Sequence, residues 1–193
     1  ISAKIDSVLS TYSLINPSLS VKPLTELYAM IEALPEGSWR TKKLAEVQAL
    51  IEQCSGLWLE ASANSEYAVQ GDSVRFTFQM NNRLGANAKL VKVSWDGADT
   101  SLNVVLIKNK NIQFVKPVFV PSTKGITQPY WMVQKMGEGS FNVDVQQLIG
   151  LPQNPASLSV AFDLIIEGLP MRIVKPVQYK YTDPGRGELY QPF

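Results

Sequence analysis

Chemistry in this chain would have to come from a small set of side chains. Asp144, Glu138, Asp183 and Glu188 are the acids that a hydrolytic pair would draw on, since such a site needs a nucleophile or two placed carboxylates. All four sit in turn-rich, glycine-rich stretches, where acids usually just face water. The sequence holds no His. That removes the commonest general base, the commonest zinc ligand and every Ser-His or Cys-His arrangement. The single Cys54 permits neither an internal disulfide nor a Cys-based metal cage. No Asp-x-Asp-x-Asp run offers calcium its oxygen ligands. Gly185-Arg186-Gly187 lacks the spacing of a phosphate-binding loop. The chain itself therefore reads as non-enzymatic, with no metal or cofactor of its own.

Aromatic side chains are the other candidates, because ring faces stack on the CH faces of sugars. Trp95, Tyr130 and Trp131 are the positions to weigh. Trp95 shares its parity with Val91 and Val93, which argues for core. Trp131 follows Pro129 and has no alternating partner, so exposure at a strand edge is expected there. A flat sugar platform needs at least two coplanar rings on open surface. The preferred reading makes Tyr130 and Trp131 a packing or domain-interface pair. Trp39 and Trp58 fall in helical patterns and read as packing residues.

The elements that position these residues follow from apolar period. Residues 1–60 hold two of the 12 Gly and three of the 12 Pro, and their pattern is helical. Ile5, Val8, Leu9, Tyr12 and Ile15 form one stripe. Asn16-Pro17 ends it, and Pro23 suits the first turn of a second helix. That helix carries Leu24, Leu27, Tyr28, Ile31 and Leu34. A third, capped by Ser38 or Thr41, carries Leu44, Val47, Leu50, Ile51 and Cys54, with Trp58 at its end.

From residue 61 the period falls to two. Val74, Phe76, Phe78 and Met80 alternate with polar residues, and Leu158 to Ile166 do the same. Shorter strands are expected at Tyr67–Val69, Leu102–Ile107, Tyr130–Val133 and Phe141–Val145. Pro117, Pro129 and Pro176 each lack a ladder donor and favour edges or bulges. No ten-residue helical pattern separates the strands, so parallel crossover units are not expected. The expectation is a mixed, mainly β chain: a helical segment over 1–60, as linker or small bundle, then an antiparallel Ig-like β-sandwich over 61–193.

Composition narrows the partners. Eighteen Lys+Arg against 17 Asp+Glu give a net charge of +1, with no electrostatic footprint for nucleic acid. The longest apolar run is five residues, Leu27 to Ile31, too short to span a bilayer.

An ordered set of motifs carries a resemblance over roughly residues 56–193. It opens with Gly71-Asp72-Ser73-Val74 and a strand ending at Asn81-Asn82. It continues with Gln128-Pro129-Tyr130-Trp131, then Leu148-Ile149-Gly150-Leu151-Pro152 and Asn154-Pro155. It closes with Pro176 to Pro184 and Gly187-Glu188-Leu189-Tyr190. This set resembles the accessory region downstream of the catalytic domain in large LmbE-like (PIG-L-type) N-acetylglucosamine deacetylases of Bacteroidetes. The opening strand is also similar to the Ig-like domains of secreted glycosidases.

The resemblance implies a piece of a longer, exported protein, at the periplasm or cell surface. Its parent would be a zinc-dependent N-deacetylase acting on amino sugars, with the zinc held by an Ala-His-Pro-Asp-Asp motif and a later His. None of that motif occurs here, so no catalytic residue carries over and the zinc belongs to the absent enzyme domain. The function implied is a non-catalytic accessory domain that braces the enzyme and docks or spaces further domains. The alternative is a carbohydrate-binding module that holds the parent near glycan. The partners implied are other domains of the parent chain, with glycan under the second reading.

Overall fold

A computed structural model describes residues 1–193. It is 38% strand and 26% helix, hence mainly β. Three helices come first: α1 (Ser2–Thr11), α2 (Val21–Glu32) and α3 (Ser38–Ser55). Eight strands follow: β1 (Leu57–Ala63), β2 (Ser73–Asn82), β3 (Ala88–Trp95), β4 (Ala98–Val105), β5 (Ile112–Phe119), β6 (Ser159–Ile166), β7 (Leu169–Asp183) and β8 (Gly187–Pro192).

The strands hydrogen-bond as one sheet in the order β4-β3-β6-β7-β1-β2-β5, with β8 on β7. The expected Ig-like arrangement of two antiparallel sheets is therefore not the pairing observed, and the sheet is mixed, with parallel pairing in it. Strand partners are chosen by contacts far apart in sequence, which period alone does not encode. Contacts divide the chain into two compact units. One comprises 1–61, 78–114 and 160–175, and the other 62–77, 115–159 and 176–193.

In the first unit, helices and strands share a core. Val21, Leu24, Leu27 and Ile31 of α2 and Val47 and Ile51 of α3 are buried. Phe78, Met80, Leu90, Val93, Val160, Phe162, Leu164 and Ile166 are at most 2% exposed. The 5.0 Å contact of Phe78 with Trp95 and its 4.7 Å stacking on Phe114 extend this core. The Gln48 amide donates to the Arg172 carbonyl at 3.1 Å, and Lys175 pairs with Glu52, so α3 is tied to β7.

Three local expectations change. First, β3 holds a bulge: Leu90 opposes Leu164 and Lys92 opposes Asp163, so Val91 is the extra residue. Leu90 takes the core position that simple alternation assigns to Val91. Second, α1 buries none of its residues: Leu9 is 70% exposed, and Tyr12, just past its end, 51%. Lys4 is ion-paired with Glu26 of α2, which holds that carboxyl below its ordinary range. Third, Trp58 lies in β1, not in α3, and the Arg83 guanidinium sits 5.2 Å from its ring centre. Trp39, in the first turn of α3, is 55% exposed.

Gly56 makes the turn from α3 into β1. Its φ of +62° is left-handed, and a Cβ there would meet Leu84 Cγ at 2.7 Å and Leu84 N at 3.0 Å. Its carbonyl also accepts from Arg83 N at 3.0 Å. Strain and overlap act together, so Gly56→Ala is expected to cost about 2–3 kcal/mol in urea unfolding. A change within about 0.5 kcal/mol would refute that account of the turn.

The second unit takes in 73–77 of β2, 115–119 of β5, 176–183 of β7 and all of β8. Phe76 meets Phe193 edge-on at 5.6 Å. The Val177 amide donates to the Leu158 carbonyl at 2.9 Å, which extends the β6–β7 pairing to the residue just before β6. Pro117 lies in β5, which ends the strand order and so lacks a neighbour on one side. The strands expected at Tyr67–Val69 and Phe141–Val145 do not form, and Tyr130–Met132 is a 3-10 turn. Pro129 accounts for the last case, because its ring holds φ at −51°, away from strand values, and removes a ladder donor just before Tyr130.

Candidate functional site

A cleft of about 650 Å³ lies within the second unit and is built from one stretch of chain, residues 130–149. Two walls face it. The first is the 3-10 turn with Tyr130 and Trp131, followed by Gln134; the second runs from Phe141 to Ile149. A tight turn joins the walls, with Gly137 N donating to Ser140 O at 3.0 Å. Gly139, at φ +78°, supplies the left-handed residue that this reversal requires.

Asn154 anchors the first wall. Its side-chain oxygen accepts from Tyr130 N at 2.8 Å, and its amide nitrogen donates to Gln128 O at 2.5 Å. The Tyr130 hydroxyl donates to Leu151 O at 3.2 Å. The Gln128-Pro129-Tyr130-Trp131, Leu151-Pro152 and Asn154-Pro155 motifs are thus one hydrogen-bonded cluster. Pattern reading sees these motifs as an ordered series and does not see that they touch.

Tyr130 and Trp131 are both half-buried, and their rings meet at 4.9 Å and 88°. Perpendicular rings do not make the flat, two-ring platform that an extended polysaccharide surface would need. Trp95, by contrast, is 7% exposed in the first unit and packs on Phe78.

The four acids fall in different settings. Asp144 lines the cleft and accepts a hydrogen bond from the Gln134 amide. Asp183 accepts from the backbone amides of Gly185 and Arg186, both at 2.8 Å, so it shapes the β7–β8 turn. Glu188 pairs with Lys180 at 3.1 Å. Glu138 lies in the turn between the walls and does not line the cleft. No second carboxylate joins Asp144 in the lining.

Cys54 is half-buried, and burial pushes its thiol above the ordinary value, which makes it a poor nucleophile. No group of three or more Asp, Glu or Cys side chains is placed to hold a metal ion. No helix is long and apolar enough to cross a membrane.

Sequence reasoning picked out Tyr130, Trp131 and, as a candidate acid, Asp144, but missed Gln134, Phe141, Asn142 and Gln146, which share the cleft with them. The only signal for them was their crowding into one glycine-punctuated stretch.

No protein-family model matches the chain, and no curated protein matches it significantly. Among solved structures, it is similar to the alkylpurine DNA glycosylase AlkC of Pseudomonas fluorescens bound to DNA containing an abasic site analog. The identity is 8%, over 83% of this chain and 45% of that one, with a TM-score of 0.28. The chain thus spans less than half of that protein, and a likeness at this level supports no conclusion about fold or function.

Proposed function

We propose that this chain is a non-catalytic accessory module of a zinc-dependent LmbE-like (PIG-L-type) N-deacetylase. In this role it braces the enzyme domain and docks or spaces further domains of an exported parent protein. The ordered motifs from Gly71 to Tyr190 support the family. The observation that carries the docking role is the N-terminal apolar surface. Leu9, Tyr12, Leu14, Ile15 and Leu19 are between 51% and 98% exposed, and α1 buries nothing. A helix with an apolar stripe gains its stability mainly by covering it. A neighbouring domain of the parent chain is the natural cover. An Ig-like relationship is a finer reading that this role does not require.

The test uses the parent gene. An Ala-His-Pro-Asp-Asp motif should lie upstream in its reading frame. The catalytic domain, expressed separately, should co-purify with residues 1–193, and Leu9→Glu with Ile15→Glu should abolish this. The same pair should shift this chain's own stability by no more than about 0.5 kcal/mol, because both sites already face water. The isolated chain, with added zinc, should release no acetate from N-acetylglucosamine substrates above a protein-free control. A frame without the motif, acetate release by this chain, or co-purification indifferent to the two glutamates would each refute the reading.

A further inference from the structure

We propose that the cleft between Tyr130 and Ile149 is a binding site for an uncharged saccharide, entered by one or two sugar rings rather than by a long flat chain. The volume, about 650 Å³, falls in the usual range for small-ligand sites. The lining mixes the two chemistries that a sugar ring needs. Trp131, Tyr130 and Phe141 supply apolar faces for its CH groups. Asp144, Gln134 and Gln146 supply directional hydrogen bonds for its hydroxyls.

Charge narrows the ligand further. No Lys or Arg lines the cleft, and its one formal charge is the Asp144 carboxylate. Phosphate, sulfate and uronic acid groups would meet repulsion with nothing to pair against. A neutral polyol donates its hydroxyl protons to that carboxylate instead, in charge-assisted hydrogen bonds stronger than neutral ones.

The ring geometry sets how much sugar fits. Because Tyr130 and Trp131 stand at 88°, a flat ligand can lie parallel to only one of them, while the other forms a side wall. That suits the end of a glycan or a short oligosaccharide. The wall is also preorganised. Asn154 holds Gln128 and Tyr130 from behind, and the Tyr130 hydroxyl is spent on Leu151 O, so less ordering cost falls on binding. A single carboxylate with no partner acid in the lining fits binding without cleavage.

The test is titration of the 193-residue chain with neutral gluco-, manno-, xylo- and N-acetylglucosamine oligosaccharides, and with oligogalacturonate as the acidic comparison. Tryptophan fluorescence and saturation-transfer NMR report binding. At least one neutral oligosaccharide should saturate, while oligogalacturonate binds at least about ten-fold more weakly. Trp131→Ala and Asp144→Ala should each weaken binding by about ten-fold or more, with the far-UV circular dichroism unchanged. Asp144→Ala decides the matter if Trp131→Ala fails to fold. The proposal is overturned if no neutral sugar saturates by about 10 mM, if oligogalacturonate binds as well, or if binding survives Asp144→Ala undiminished.

Discussion

Phe162→Ala is expected to lower the free energy of unfolding by about 3–5 kcal/mol, the cost of deleting a large ring from a packed core. Phe162 is fully buried in β6, opposite Val93 of β3. Its neighbours Val160 and Leu164 on the same face are at most 2% exposed. Close packing leaves little room for collapse into the space, so the cavity term adds to the lost transfer free energy. Urea denaturation followed by tryptophan fluorescence measures it. The midpoint should fall with little change in slope. A loss below about 1 kcal/mol would mean that this face of β6 is not the core face.

Asn82 should rank next, although it is polar. It is 1% exposed at the end of β2, and its side chain makes three hydrogen bonds. Its amide nitrogen donates to Ala86 O at 2.7 Å and Leu106 O at 2.8 Å, and its oxygen accepts from Gly85 N at 3.0 Å. One side chain thus holds the β2–β3 loop and the chain just beyond β4 together. Asn82→Ala strands two buried carbonyls and one amide, for an expected loss of about 2–4 kcal/mol.

Asn82→Asp separates this account from simple loss of volume. Its carboxylate would face the same two carbonyls without a donor, which raises the folded-state pKa above the unfolded one. The folded protein then binds the proton more tightly, so stability rises as pH falls through that raised pKa towards the unfolded-state value. Relative to the original protein, Asn82→Asp should recover on acidification, whereas the Asn82→Ala deficit should stay nearly flat. A flat Asn82→Asp deficit would overturn the hydrogen-bond explanation.

Much of the fold is local enough to read from residue order. The period of two in Phe76, Phe78 and Met80, and again from Leu158 to Ile166, marks residues that the structure buries. The period of 3.6 in Leu24, Leu27 and Ile31 does the same for α2. These patterns are legible because an element's own geometry decides which side chains share a face. The Tyr130–Trp131 pair was legible only as residue types. Its perpendicular geometry depends on Pro129 and on Asn154, 24 residues away from Tyr130.

By itself, the sequence determined the helical start, the β-rich remainder, the burial parity of β2 and β6, and the lack of any His for catalysis or zinc. Tertiary structure alone decided that the strands join in one mixed sheet, that a bulge at Val91 moves Leu90 inward, and that α1 keeps its stripe exposed. It also decided that Tyr130, Trp131 and Asp144 share a cleft. The reason is the reach of the interactions. Face and period follow from backbone dihedrals within a few residues, whereas strand partners, bulges and clefts follow from hydrogen bonds and packing between segments that no local pattern connects.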